Sequence, residues 1–324
     1  MAEFIQLTGL DDVPSGLKRC VLAIGNFDGF HRGHQHVFDR LKARAAERGV
    51  AAVVLTFEPH PRDVFSPAPV MFRLTPPEAK ARLAQALGLD ALVVMPFDRA
   101  FSQIPAEDFV SRFLIGALDV SRVIVGDDFH FGRNRLGTPD YLREAGRDQG
   151  FAVETLHLID AGEGPISSSR IREALRRGDL AGANALLGYH WFIEGEVVSG
   201  ARRGRELGYP TANLAVPPVF DLARGVYAVR GLIDGKRLDG VAAYGKPMFG
   251  DAAPPFETFF FDFAEDIYGR DLSVALLGRI RGMEVFPGLP ELIEAMDRDS
   301  QEARRIITAA APLGELDHRL GFFG

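Results

Sequence analysis

The chain has 324 residues, 47% of them hydrophobic and 25% charged, with a formal net charge of -7. The length suggests two domains rather than one core, and the composition is ordinary for a soluble globular protein. The acidic balance argues against a broad nucleic-acid or membrane-surface binder, so anionic substrates would need local positive sites.

The single cysteine, Cys20, excludes an intrachain disulfide and fits a reducing compartment. It opens an apolar run and reads as a core residue. No stretch reaches the roughly 20 apolar residues of a transmembrane helix. The first residues lack the basic and apolar regions of a signal peptide. A cytoplasmic protein with no nucleic-acid or membrane partner is expected, and its oligomeric state stays open.

The run Val21-Leu22-Ala23-Ile24 leads into Gly25-Asn-Phe-Asp-Gly-Phe-His-Arg-Gly-His34. Val37, Phe38, Leu41 and Ala45 then recur at helical spacing, with Gly49 as the stop. The stretch is therefore a strand-to-helix loop, the place where open α/β sheets bind ligands. Gly25, Gly29 and Gly33 allow close backbone approach. Free N–H groups at the helix start favour phosphate oxygens. His31 and His34 share a face if both lie on the first helical turn, and two imidazoles there can donate to a developing pentavalent phosphorus.

Four more apolar runs follow, at Val50 to Phe57, Ala91 to Met95, Arg122 to Val125 and Phe151 to Leu156. Helix-like stretches, among them Pro77 to Leu87 and Glu107 to Leu118, separate them. The alternation predicts a parallel, doubly wound sheet with its strand-end loops on one edge. One such loop is Thr56-Phe-Glu-Pro-His-Pro61, whose prolines also suit a rigid turn. Another, Gly126 to Arg135, interleaves Phe129 and Phe131 with polar groups beside Arg133 and Arg135. It can stack a flat aromatic ligand, or serve as a surface loop with an apolar foot. In Ile166-Ser-Ser-Ser-Arg-Ile-Arg172, one serine is explained by helix capping. Three serines with two arginines suit a phosphate, with Ser168, Ser169 and Arg172 as the candidates.

Beyond a short helix, Asp179 to Leu187, the pattern changes. Trp191 to Val198, Gly225 to Ile233, Phe256 to Phe263 and Leu272 to Leu277 read as strands, followed by a helix over Leu289 to Ile307. That helix is expected to place Leu289, Leu292, Ile293 and Met296 on one face. A small antiparallel barrel with one packed helix is predicted, with the boundary near Leu187. Gly200 to Asn213 joins a basic loop, including Gly204 and Arg205, to Thr211 and Asn213. The basic loop suits triphosphate. Thr211 and Asn213, if extended, share a face and can complete a Mg²⁺ shell with ATP phosphates. Alternation puts Glu257 with Phe259, Phe261 and Phe263, where desolvation would suit a general base. The other reading leaves Glu257 at the strand start, open to water. Gly240 to Lys246 imitates the start of a P-loop, but Pro247 replaces the required hydroxyl and the context is strand to strand.

Taken together, G-x-F-D-G-x-H-x-G-H, T-F-x-P-H-P, G-x-D-F-x-F-G and I-S-S-S-x-I-R resemble the adenylyltransferase module of the bifunctional riboflavin kinase/FAD synthetase family. Gly204 to Asn213, Gly225-Val-Tyr227 and Asp266-Ile-Tyr-Gly269 resemble its kinase module. The resemblance runs from about Cys20 to Ile307. It implies a nucleotidyltransferase-type Rossmann-like α/β domain over 1–187, and a riboflavin-kinase-like barrel with a packed helix over 188–324. It implies ATP as co-substrate, Mg²⁺, and the substrates riboflavin and FMN, with FAD as product. Gly25, Asn26, Phe27, Asp28, Gly33, Ser168, Ser169, Arg172, Gly204 and Arg205 would bind ATP or phosphate. His31 and His34 would stabilise the transition state. Pro59, His60, Asp128 and Phe129 would lie at the flavin, the latter two also near the metal. Thr211 and Asn213 would hold Mg²⁺, and Glu257 would be the base for the riboflavin 5′-hydroxyl.

Two positions depart from the family pattern. Thr138 stands where many relatives have aspartate. Ala243 to Phe249 is one residue shorter than the relatives' Asn-[IF]-Gly-x-Arg-Pro-Thr-Phe, without its amide and arginine. The alternatives are an adenylyltransferase with a weakened kinase module, or a non-catalytic flavin-binding regulator.

Overall fold

The structure is a computed structural model that describes residues 3–157, 164–198, 211–245 and 256–324. Packing divides the chain into two compact units, Met1–Ser167 and Ser168–Gly324. Helices α6 (Ser168–Arg177) and α7 (Leu180–Leu187) lie between this division and the change of sequence pattern at Leu187. α7 packs on α6 and on a barrel strand.

The first unit is built on six parallel strands: β1 (Ile5–Thr8), β2 (Val21–Ile24), β3 (Ala52–Glu58), β4 (Ala91–Pro96), β5 (Arg122–Gly126) and β6 (Ala152–Leu156). Their order is β1-β4-β3-β2-β5-β6. The continuous apolar runs have the form expected of strands covered on both faces, and β2 is buried at all four positions. Leu22, Ile24, Val53, Leu55, Val93 and Val125 belong to one core cluster with Leu114 and Leu142. The short edge strand β1 is an addition that the sequence pattern missed. α1 (Arg32–Ala46) follows β2, α2 (Pro61–Val64) follows β3, and α3 (Pro77–Ala86) precedes β4. The stretch Glu107 to Leu118 forms one turn of α4 (Ala106–Asp108), which continues as a π-helix, Phe109–Ala117. α5 (Pro139–Gln149) precedes β6. From β2 the chain winds outward through β3 and β4, then returns to β5 on β2's other side. The loops after β2 and β5 therefore flank the point where strand order reverses, the usual ligand crevice of such sheets.

The second unit is a closed antiparallel barrel, β10-β11-β8-β7-β12-β9. Its strands are β7 (Phe192–Val198), β8 (Thr211–Leu214), β9 (Gly225–Ile233), β10 (Lys236–Tyr244), β11 (Phe256–Phe260) and β12 (Asp271–Arg281). β10 includes the P-loop imitation up to Tyr244, which is strand. α8 (Leu289–Ala309) packs against β9, β10 and β12. Its buried line is Ala295, Asp299, Ala303 and Ile307; of the expected face, Leu292 and Met296 flank that line half-buried, Ile293 is half-buried and Leu289 is exposed. Small side chains let the helix approach closely, and Asp299 is fixed by a two-pronged bond to Arg281 at 2.8 and 2.7 Å. Asn184 of α7 caps the barrel wall through Leu276 O and Trp191 N–H. Asp317 of α9 (Glu315–Arg319) is fully buried against the His190 ring and backbone, both at 2.8 Å.

Candidate active sites

The loop after β2 is shaped by its aromatic residues. Phe27, Phe30 and Phe38 pack together with centroids 4.9 to 6.5 Å apart. Drawing Phe27 and Phe30 inward puts their φ at +44° and +40°, strained values for side chains of this size. Gly25 leaves the room for this, since a Cβ there would meet the Phe27 ring at 3.0 Å. Asp28 also points inward. Its buried carboxylate accepts from the N–H groups of Leu74 and Thr75 and from the Thr75 hydroxyl, at 3.0 to 3.1 Å. Thr75 Oγ1 in turn accepts from Gly29 N–H at 2.9 Å. Asn26 is left exposed, with its carbonyl held by the Thr56 hydroxyl at 3.0 Å.

His31 caps α1. Its Nδ1 accepts from the His34 N–H at 3.3 Å, which places the ring proton on Nε2. The two imidazoles lie face to face, with centroids 3.6 Å apart and planes 18° apart. Gly33 fits this stack because a Cβ there would lie 3.1 Å from the His31 ring. His34 Nδ1 is enclosed and has no hydrogen-bond partner among the described residues. An orphaned acceptor costs less than an orphaned N–H, so Nε2–H is the favoured tautomer here too. Burial, then the neighbouring His31 and Lys80, hold the His34 imidazole well below its usual proton affinity. The site is thus a helix N-terminus carrying two neutral N–H donors, a receptor for developing phosphate charge.

The other expected residues of this unit take varied places. His60 is buried and caps α2, accepting from Arg62 N–H at 3.2 Å, while Pro59 is exposed. Asp128 is exposed, with its carbonyl 2.8 Å from His130 Nδ1. Half-buried Phe129 stacks at 5.6 Å on buried Phe131, so this loop does have an apolar foot. Thr138 caps α5 through Tyr141 N–H at 3.1 Å, a task that aspartate performs equally well. In the other unit, Ser168 opens α6, with exposed Ser169 and half-buried Arg172 on its first turns. The spacing puts Ser168 and Arg172 on one face.

Four residues received no role from the sequence: Thr56 and Glu58, inside the quoted Thr56 to Pro61 stretch, and Arg73 and Lys80, which it did not single out. The Lys80 side chain is 1% exposed, and its Nζ lies 2.9 Å from Glu58 Oε1 and 3.2 Å from Thr56 Oγ1. Arg73 clasps the same carboxylate. Burial pushes the Glu58 carboxyl up, but the Arg73 bonds and Lys80 outweigh it and hold it below the usual range. One signal was present in the sequence: Lys80 interrupts the apolar face formed by Ala79, Leu83 and Ala84.

On the barrel, β8 runs between β7 and β11. The register sets Asn213 opposite Glu257 and Thr211 opposite Phe259, so all four share a face. Asn213 is buried and Thr211 half-buried. Both line a cleft with Val197, Phe260, Asp266 and Tyr268. Glu257 starts β11 with its side chain reaching solvent, the second of the two sequence readings, although Phe259 does lie on its face. Surrounding protein still raises its carboxyl above the usual range by desolvation. Its neighbour on β10 is Ala243, the position where the family pattern has an amide. Gly204, Arg205 and the part of the departing segment from Lys246 to Phe249 lie outside the described residues.

Residues 13–170 match the FAD synthetase family, and residues 187–307 match the riboflavin kinase family. A bifunctional riboflavin kinase/FMN adenylyltransferase of Pseudomonas fluorescens is 38% identical over 94% of this chain and 98% of its own length. The protein of the same name from Escherichia coli (strain K12) is 37% identical over 90% and 94%. That from Bacillus subtilis (strain 168) is 38% identical over 89% and 92%. A crystal structure described as a macrolide-efflux protein from Streptococcus pneumoniae superimposes with a TM-score of 0.81 at 30% identity, covering 93% of this chain and 98% of that one. No helix among the described residues is long and apolar enough to cross a membrane.

Proposed function

Because this chain belongs to the bifunctional riboflavin kinase/FMN adenylyltransferase family, we propose that its two reactions are divided between the His31–His34 site and the Glu257 site. The enzyme phosphorylates riboflavin with ATP to give FMN and ADP, then transfers AMP from a second ATP to FMN to give FAD and pyrophosphate. We assign the adenylyl transfer to residues 1–187 and the phosphorylation to residues 188–324.

In adenylyl transfer, an oxygen of the FMN phosphate attacks the α-phosphorus of ATP, and the bond to the departing pyrophosphate breaks. The nucleophile is already an anion, so no base is needed. His31 and His34 supply N–H donors to the phosphate oxygens as charge develops. The start of α1, with Gly25, Asn26, Phe27, Asp28 and Gly33 shaping it, receives the nucleotide. Ser168, Ser169 and Arg172 are assigned to its phosphates, and Pro59, His60, Asp128 and Phe129 to the flavin side.

In phosphorylation, Glu257 takes the proton of the riboflavin 5′-hydroxyl while that oxygen attacks the γ-phosphorus and ADP leaves. Raised proton affinity suits the carboxylate to this task. Among the described residues no three His, Cys, Asp or Glu side chains gather as a metal site. Thr211 and Asn213 provide neutral oxygens, a donor set that suits Mg²⁺ once ATP phosphates complete it. Bound there, Mg²⁺ supplies neutralisation of phosphate charge. Gly204 and Arg205 are assigned to the same triphosphate. ATP dependence and a lone buried thiol fit a cytoplasmic enzyme.

The observation that carries this reading is that one chain bears two different phosphate chemistries. One is a pair of neutral imidazole donors without a base. The other is a carboxylate of raised proton affinity opposite an amide oxygen. The test is to incubate the protein with ATP and Mg²⁺, with riboflavin or with FMN, and separate the flavins by chromatography. FAD from both starting points is expected. FAD from FMN alone would remove the kinase assignment.

A further inference from the structure

Next to His34 lies the buried Lys80, joined to half-buried Glu58 and Arg73 in a charged cluster with no part in the chemistry just described. Lys80 of α3 donates to Glu58 at the end of β3 and to the Thr56 hydroxyl. The Thr56 hydroxyl donates to the Asn26 carbonyl in the loop after β2. The residues just before α3 take part as well, since Leu74 and Thr75 hold Asp28 and Arg73 holds Glu58. A buried lysine with one carboxylate and one hydroxyl is an expensive way to join three backbone segments. A packed apolar residue would stabilise the fold as well, so the ammonium calls for a role in the site.

We propose that Lys80 is a positioning residue for adenylyl transfer: through Thr56 and Glu58 it fixes the loop after β2 to the end of β3, and its charge keeps the neighbouring His31–His34 pair in its stacked donor form. This rests on the reading of that pair as the adenylyl-transfer site. The titratable groups next to His34 are His31, the N-cap of α1, and Lys80 on α3. Those facing Lys80 are Glu58, Arg73 and Asp28. A proton added to His34 would be repelled by the Lys80 ammonium. Removing that ammonium raises the proton affinity of His34, so the pair would charge at a higher pH and the stack would open.

The test uses the full chain, with its riboflavin kinase activity as the internal control for folding. Lys80→Met is expected to lower kcat for FMN adenylylation on the order of 100-fold, the scale of a misplaced phosphate loop. The acid limb of its kcat/KM profile should also move to higher pH. Lys80→Arg keeps the charge and should return the acid limb to its parent position. A Lys80→Met enzyme with the parent's rate and acid limb would overturn the proposal, while leaving the histidine assignment intact. Failure of the parent to make FAD from FMN would instead sink the assignment on which the proposal rests. Should Lys80→Met unfold the first unit, Glu58→Gln/Lys80→Met removes both charges together, and Thr56→Val cuts the path from Lys80 through Thr56 to Asn26 while keeping the ammonium. Loss of kcat in Thr56→Val with an unmoved acid limb supports the tie between β3 and the loop after β2, and parent kinetics in both variants overturns the proposal.

Discussion

The two sites differ in how far the fold has arranged them before any substrate arrives. In the first unit the loop assigned to adenylyl transfer is held by the residues packed against it. Three phenylalanines, the Asp28 carboxylate and the Thr56 hydroxyl fix its path, and the two imidazoles are stacked at 3.6 Å. On the barrel, Asn213 is buried in its strand, but Glu257 opposite it reaches solvent at the start of β11. The chemistry accounts for the contrast. Adenylyl transfer from ATP to an anionic phosphate needs charge stabilisation, which works best from rigid, desolvated donors. Phosphorylation of a hydroxyl needs a proton acceptor, which must be reachable by the substrate and able to release the proton afterwards.

The sharpest way to break this comparison is to remove the base. Glu257→Gln should lower FMN formation from riboflavin by about 100- to 10,000-fold, with FAD formation from FMN kept within about twofold of the parent. Parallel loss of both activities would show that the sites are not independent. His34→Ala is the mirror experiment: FMN adenylylation should fall on the order of 100- to 1,000-fold while riboflavin phosphorylation persists. Steady-state assays of the two half-reactions on each purified variant decide both cases.

Asp28→Ala probes preorganisation rather than chemistry. It strands two buried N–H groups and a hydroxyl, so the first unit should lose about 3 kcal/mol, read by urea unfolding. An unchanged midpoint would mean that Asp28 is not what anchors the loop. A smaller effect belongs to Glu154, which collects Arg40, Arg44 and Arg122 on the same unit. Burial pushes its carboxyl up, but the bonds from Arg40 and Arg44 prevail and lower it. Its contribution is therefore complete above the unfolded carboxyl's titration range and vanishes as the pH falls through the folded one. Solvent screens these pairs, so Glu154→Gln should cost under about 1 kcal/mol at neutral pH and less still in acid. Equal destabilisation at both pH values would contradict this. On the barrel side only a modest change is expected from Ala243→Asn, which restores the family's amide beside Glu257. The KM for riboflavin should shift by no more than about tenfold, the worth of one hydrogen bond. A larger gain would mean that the departing segment limits the kinase.

Much of this was written locally. The strand-loop-helix around Gly25 to His34 follows from one apolar run, three glycines and a helical stripe. The shared face of Thr211 and Asn213 follows from their spacing of two. Where local pattern gave two answers, contacts chose. Glu257 could lie among phenylalanines or face water, and the barrel's closure put Phe256, Thr258 and Phe260 inside, leaving Glu257 outside. The face of α8 was misread because apolarity pointed to Leu289, whereas Ala295, Asp299 and Ala303 permit the closer approach to the barrel.

The sequence by itself determined the parallel sheet and the barrel, and marked the loops to which the chemistry is assigned, because periodicity and turn residues act over a few positions. Only the tertiary structure decided that the two histidines stack as neutral donors, that Asp28 faces inward, and that Glu58, Arg73 and the buried Lys80 form a cluster tied to the loop through Thr56. The Asp28 and Glu58 contacts join residues 15 to 47 positions apart, and the neutral state of the stacked histidines comes from burial that changes what a charge costs. Neither can be read from spacing along one segment.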